Sequence, residues 1–303
     1  MSTKRLLGIF AHPDDEGTMS GAMLKYSTLD IETGLVCATR GEVGEIADPA
    51  LATPENLGEV REGEMRAAAE VLGVHNLWFL GYRDSGMAGT ADNQDPRSLA
   101  QASAAEVVGK LVGIIRQFRP QVLVTFDETG AYGHPDHIAI YRHTTSAFYA
   151  AADAVQYPEH GPAHMVSKLY YTAFPRSIVR QIGEWMQTQN YEGNFRNLDP
   201  EKLGIPDELI SVRLDVEPWL ETKGRSWSMH RTQMDPNNAM AQLPEEVQCK
   251  WRSNEYYQLA ATRVGPDIIV PGHCTGWRAT HELARQLPDA FVQTSVGTRL
   301  HFG

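Results

Sequence analysis

Short apolar runs alternate with amphipathic stretches through the first half of the chain. The runs predict strands over residues 6–11, 34–39, 76–81 and 121–126. Between the second and third lies TPENLGEVREGEMRAAAEVLG, which reads as a helix. Thr53 is its cap, Pro54 its first position and Gly73 its stop, with Leu57, Val60, Met65, Ala68 and Leu72 on one apolar face. A second helix is predicted over residues 100–118, ended by Pro120. Strands spaced by helices in this way predict an α/β fold, a Rossmann-like, mainly parallel sheet flanked by helices.

Beyond residue 165 the periodicity weakens. KLYYTAF and ELISVRLDV read as strands, and EPWLETKGRSWSMHRTQM and PEEVQCKWRSNEYYQLAATR as helices. From residue 264 the text changes character, with GPDIIVPGHCTGWRATHELARQLPDAF reading as one more strand, turn and helix. The expected organisation is therefore one domain over residues 1–263 and a C-terminal extension of unknown role over 264–303.

Composition narrows the function classes. Lys and Arg number 27 against 38 Asp and Glu, a formal charge of -11, which opposes tight binding to a phosphate backbone and argues against a nucleic-acid partner. Three scattered cysteines, Cys37, Cys249 and Cys274, form no C-x-x-C pair, so neither a disulfide framework nor a thiolate zinc site is expected. The first apolar stretch is too short for a signal-peptide core, and no run approaches a membrane span. These features together predict a soluble, cytoplasmic protein, with homo-oligomer formation left open.

The chemistry is concentrated in two HPD tripeptides, His12-Pro13-Asp14 and His134-Pro135-Asp136, each just after a predicted strand. Composition alone would supply roughly 0.03 copies of that tripeptide. In an open parallel sheet the loops at the carboxyl ends of the strands gather around one crevice, so neighbouring first and fourth strands would bring both motifs together. His12, Asp14, Asp15, His134, Asp136 and His137 would then converge. Imidazoles with a carboxylate form a nitrogen and oxygen donor set suited to zinc, and three protein ligands with a free fourth position is the catalytic arrangement. The competing reading is structural, in which Asp15 and Glu16 merely compensate the dipole of a helix beginning near Gly17. A nucleotide-binding Rossmann protein would need a Gly-rich first turn, and AHPDDEG offers none.

AHPDDE, TRGEVGE, REGEMRAAAEVLG, LGYRDSGM and YGHPDH closely resemble the PIG-L/LmbE-like zinc de-N-acetylases, in motif order, over about residues 4–262. That resemblance implies that His12, Asp15 and His137 hold zinc and that Asp14 is the general base; spacing alone leaves open which of the two aspartates faces the metal. It further implies that His134 stabilises the oxyanion with Asp136 orienting its ring, and that Tyr132 stands near the substrate carbonyl. Arg61, Asp84 and His230 match family positions at the substrate, while Arg40 and Glu42 could line the same rim or serve only their loop. Trp219, Trp227 and Trp251 could stack on a sugar face or belong to the core. The activity implied is removal of an N-acetyl group from an N-acetylglucosamine-type small molecule such as N-acetylglucosaminyl-inositol, by metal-activated water. Cleavage of mycothiol S-conjugates is the alternative within the class. Zinc is the expected metal, although two histidines and one aspartate accept ferrous iron as well. The segment containing GHCTG resembles the end of metallo-β-lactamase-fold hydrolases, where its histidine, here His273, binds metal. No H-x-H-x-D-H motif accompanies it, so that centre cannot be assembled.

Overall fold

RLLGIF is apolar at nearly every position because the strand it forms, β1 (Arg5–Phe10), is covered on both faces, with Leu7 and Ile9 fully buried. The computed structural model describes residues 4–188, 199–234 and 243–263, with Arg285 alone beyond them. Around β1 are β2 (Glu32–Cys37), β3 (Asn76–Phe79), β4 (Val122–Thr125), β5 (Lys168–Thr172), β6 (Val212–Asp215) and β7 (Asn254–Thr262). Among the described residues they form one seven-stranded sheet in the order β3-β2-β1-β4-β5-β7-β6. The first five pair in parallel, and β6 pairs antiparallel with β7. The mainly parallel sheet expected from the sequence is thus present, with an antiparallel edge. Strand order reverses between β1 and β4, which are hydrogen-bonded neighbours, so the crevice at their carboxyl ends is the topological switch point.

The principal helices are α1 (Ser20–Ser27), α2 (Leu57–Val71), α3 (Ala104–Phe118), α4 (Pro135–Ala150), α5 (Arg176–Thr188), α6 (Leu220–Trp227) and α7 (Glu245–Arg252). Helices α1, α2 and α6 pack together, and α3 packs against α4. The core runs from Leu7, Ile9 and Phe10 through Leu35, Met65, Leu111, Ile115 and Leu123 to Phe148. No helix among the described residues is long and apolar enough to cross a membrane. Cys37 and Cys249 carry free thiols.

Three elements differ from the sequence reading. Helix α2 starts at Leu57 rather than Pro54, because the Asn56 side chain accepts the Thr53 main-chain N–H at 2.7 Å and folds TPEN into a turn. On its inner face Val60 is only half-buried while Arg61 is buried, so the apolar line passes through a cation. The stretch read as one helix over PEEVQCKWRSNEYYQLAATR divides into α7 and β7: Glu255 and Tyr257 are buried between half-buried neighbours, a two-residue period that belongs to a strand. The chain falls into two compact units, Met1–Ala261 and Thr262–Gly303. The expectations for the tail, including His273, lie outside the described residues.

Candidate metal centre and active site

The two HPD loops meet. After β1 the chain turns through His12 and Asp14 into a short 3-10 turn, Asp15–Thr18. Asp15 Oδ2 accepts the main-chain N–H groups of Ala11 (3.1 Å) and His12 (2.7 Å), which aims the other carboxylate oxygen into the crevice. After β4 the chain passes through a turn at Asp127, whose carboxylate accepts the main-chain N–H groups of Thr129 and Ala131, and enters α4 at His134. Pro135 fills the first helical position, where a missing N–H costs nothing. His137, one turn in, stacks on Phe126 with ring centroids 4.0 Å apart. Gly130 permits this approach: its φ is +62°, and a Cβ there would stand 2.8 Å from the Cβ of His137.

Hydrogen bonds fix the tautomers of two imidazoles. His12 Nε2 lies 3.2 Å from Asp136 Oδ2, and His137 Nδ1 lies 3.2 Å from the Gly130 carbonyl. Both partners only accept, so both nitrogens carry a proton and the opposite nitrogens are the ones a metal would take. Those opposite atoms, His12 Nδ1 and His137 Nε2, face each other at 3.1 Å. Asp15 Oδ1 stands 3.3 Å from His137 Nε2, and Asp15 Oδ2 stands 3.6 Å from His12 Nδ1. Donors on a tetrahedral zinc at about 2.0–2.1 Å are about 3.3–3.4 Å apart. Two imidazole nitrogens and a carboxylate at this spacing share a proton or a metal ion, and the nitrogen and oxygen donors fit a divalent metal. Ring nitrogens of His12, His134 and His137 also lie within 4.8 Å of one another, as do donor atoms of His12, Asp84 and Asp136. In those wider sets His134 Nδ1 already accepts the Asp136 main-chain N–H at 3.2 Å, and the carboxylates of Asp84 and Asp136 face the protonated nitrogen of His12.

Charges in the crevice are unevenly tuned. Burial opposes charge on His12, yet the carboxylates of Asp136, Asp15 and Asp84 outweigh it and hold the imidazole well above its ordinary value. Burial likewise opposes charge on Asp15, yet His137 and His12 keep its carboxyl far below the usual carboxylate range. On Asp14 the charges of His230 and His12 pull the other way but are outweighed: burial, aided by the Asp15 charge, pushes it up to about 7. Two adjacent carboxylates thus divide into an ionised one among the imidazoles and one poised to exchange a proton near neutrality. Burial, with the charges of His12 and His137, lowers His134 to about 4. It is therefore neutral at pH 7, and because its Nδ1 accepts from Asp136, its Nε2 carries the proton.

A cavity of about 720 Å³ is lined by Asp14, Asp15 and Tyr132 together with Lys223, Trp227 and Trp251. The Tyr132 ring, 55% exposed, stands edge-on to His137 at 5.0 Å. Burial of its hydroxyl and the charge of Asp15 raise the phenol, which keeps it protonated. Trp227 and Trp251 belong to this wall, whereas Trp219 packs on the core.

Several residues stand elsewhere than the sequence placed them. The Asp136 carboxylate holds His12 and the Ser85 main-chain N–H (2.9 Å) and hydroxyl, so only its main-chain N–H orients His134. Arg61 is buried and donates to the carbonyls of Gly41 (3.0 Å) and Glu45 (2.9 Å); a Cβ at Gly41 would sit 2.6 Å from its Nη1. Asp84 accepts from the main-chain N–H of Gly86 at 2.8 Å and lies 3.6 Å from His12. His230 is fully buried on Glu16. None of these three lines the cavity, because protein atoms engage each of them. Glu42 accepts the Asp84 main-chain N–H at 3.0 Å, and Arg40 pairs with Glu62 at 2.7 Å, so both serve their loops.

Sequence reasoning missed Ser85, which lies beside the quoted Asp84 but whose partner is 51 positions away. Ser85 holds Asp136, which in turn fixes the His12 tautomer. Ser85→Ala is expected to weaken zinc binding by about 10–100-fold while leaving the fold intact, measured by competition with a chromophoric chelator. Unchanged affinity would show that Asp136 needs no support from the β3 loop.

Comparison with known proteins agrees with this geometry. The PIG-L family, described as GlcNAc-PI de-N-acetylase, matches residues 7–148, which span both HPD loops. A 1D-myo-inositol 2-acetamido-2-deoxy-alpha-D-glucopyranoside deacetylase of Geodermatophilus obscurus is 38% identical over 270 residues, covering 85% of this chain and 92% of that protein. The fold is shared with the N,N'-diacetylchitobiose deacetylase of Pyrococcus horikoshii, at a TM-score of 0.57 and 20% identity over 85% of this chain and 84% of the other. It is shared as well with GalB, the 4-carboxy-2-hydroxymuconate hydratase of Pseudomonas putida, at a TM-score of 0.56 and 18% identity over 88% and 100% of the two chains. One architecture therefore carries different reactions, and fold alone does not choose among them. Identity to the Geodermatophilus protein over most of both chains does choose a lineage: this protein belongs to the PIG-L family of de-N-acetylases.

Proposed function

We propose that the protein is a zinc-dependent deacetylase of an N-acetylglucosaminyl-inositol type substrate. The observation that carries this reading is the pair of facing imidazole nitrogens, 3.1 Å apart beside Asp15, which lines a cavity together with Asp14. His12, Asp15 and His137 would hold the ion. A bound divalent ion supplies a Lewis acid that polarises a carbonyl and makes water acidic near neutral pH.

The chain's own groups do the rest. Asp14 accepts a proton from water as the oxygen attacks the acetyl carbon. The Nε2–H of neutral His134 donates to the carbonyl oxygen as that atom gains charge, and Tyr132 presents a protonated phenol to the same region. Collapse breaks the C–N bond, and Asp14 returns its proton to the departing nitrogen, which unprotonated would have to leave as an amide anion. Acetate and the free amino sugar result. Three scattered cysteines with no C-x-x-C pair support a reducing, cytoplasmic setting for this chemistry.

The test is acetate release from the substrate named for the Geodermatophilus relative, using zinc-loaded protein, set beside cleavage of a mycothiol S-conjugate. Release from the first at the higher kcat/KM is expected. Cleavage of the conjugate with no acetate released from any N-acetylglucosaminyl compound would overturn the deacetylase reading and assign the centre to the larger amide.

A further inference from the structure

Asp14 carries a left-handed backbone, φ +105°, that side chains other than glycine rarely adopt. Something must hold it there, and the flanking atoms show what does. The Asp14 main-chain N–H donates to Glu16 Oε2 at 2.9 Å, and the other oxygen of that carboxylate, Oε1, lies 2.6 Å from His230 Nε2. On the other side, Gln233 Nε2 donates to the Pro13 carbonyl at 3.0 Å. Residues 230–233 are themselves anchored: the Thr232 N–H and hydroxyl donate to the two Glu64 oxygens at 2.8 and 2.7 Å, and the Thr232 carbonyl accepts the Ala47 N–H at 2.9 Å. Three residues of this four-residue segment, His230, Thr232 and Gln233, thus tie the Asp14 loop to α2 and to the loop after β2. They lie beyond residue 148, outside the segment that matches the family description.

We propose that Glu16 and His230 form a positioning pair that fixes the Asp14 carboxylate at its working angle, with the 230–233 segment as its support. The inference rests on the reading of Asp14 as the base. His230 is fully buried and does not line the cavity, so it acts through the Asp14 backbone and not on substrate. Glu16, 2% exposed, bonds to both the Asp14 main-chain N–H and His230. Its position in HPDDE gives it a task distinct from that of either aspartate before it.

The experiment uses the zinc-loaded full chain as wild type, His230→Ala and His230→Gln, the last of which keeps an N–H for Glu16. Three quantities are read: zinc content, kcat and KM on the N-acetylglucosaminyl-inositol substrate, and amide hydrogen exchange of the peptide containing Asp14. For His230→Ala we expect kcat to fall about 10–100-fold, as misplacement of a reacting group by about an ångström does. KM and zinc content should stay within about twofold, and Asp14 exchange should quicken. His230→Gln should recover most of kcat and the slow exchange. An unchanged kcat in His230→Ala, a loss wholly explained by zinc, or a loss His230→Gln does not restore would overturn the pair. Should His230→Ala fail to fold, His230→Phe keeps the volume without the donor and is read the same way. A wild type that releases no acetate would sink the proposed function instead; hydrogen exchange then decides alone whether His230 holds Asp14.

Discussion

Asp14→Ala will retain one zinc per chain and lose turnover by at least about 10²–10⁴-fold, the usual contribution of a positioned base. His12→Ala will lose both. The two outcomes separate because Asp14 contributes nothing to the facing donors, whereas His12 Nδ1 is one of them. Metal analysis of each purified variant, paired with acetate release, reads the difference. Substantial turnover in Asp14→Ala, or full zinc in His12→Ala, would remove the assignment. In the wild type the sign of the pH dependence follows from the same group. Asp14 must be ionised to accept a proton, so kcat/KM falls as pH drops through its pKa. That limb lies below the value of about 7 set by burial and Asp15, since an adjacent cation favours the carboxylate.

Arg116→Met will lower stability by about 3 kcal/mol or more, the largest loss expected from a single change remote from the crevice. The guanidinium is 3% exposed and donates to six carbonyls. Those of Ala150 and Ala151 end α4, and those of Asp153, Gln156, Tyr157 and Gly161 belong to the loop that follows. Methionine fills similar space and leaves all six acceptors without that donor, in a place water reaches poorly. Lysine restores charge but offers three donors from one point in place of a planar fork, so Arg116→Lys should recover only part of the loss. At roughly 2–4 °C per kcal/mol for a chain of about this size, thermal unfolding of Arg116→Met should begin roughly 6–12 °C lower. A shift under about 2 °C would mean that the loop relaxes to solvate its own carbonyls.

The convergence of the HPD loops was legible because strand, motif and switch point are all local or topological signals. β1 and β4 each announce themselves by an apolar run, and doubly wound sheets bring their carboxyl ends together. What decides the tautomers was not legible, since it depends on atoms distant in sequence: the Gly130 carbonyl for His137, and Asp136 held by Ser85 for His12. The repeat of the tripeptide also concealed a difference. Its two aspartates do unlike work, one free in the cavity and one clamped behind a histidine from the other loop. Arg61 broke the helical reading of α2 for a related reason, because a buried cation satisfied by loop carbonyls occupies a position that periodicity assigns to an apolar residue. Residues 254–262 were misread because NEYYQLAAT satisfies helical spacing as readily as alternation until its partner β6 is known.

Helix α1 begins on a carboxylate from the far end of the domain: the N–H groups of Gly21 and Ala22 donate to Glu255 at 2.7 and 2.8 Å, and Lys223 and Tyr257 converge on the same side chain. During synthesis the residues that make the crevice therefore leave the ribosome long before the one that anchors the helix behind them. A nascent chain with both histidine loops exposed still lacks this fastening of α1 until β7 arrives.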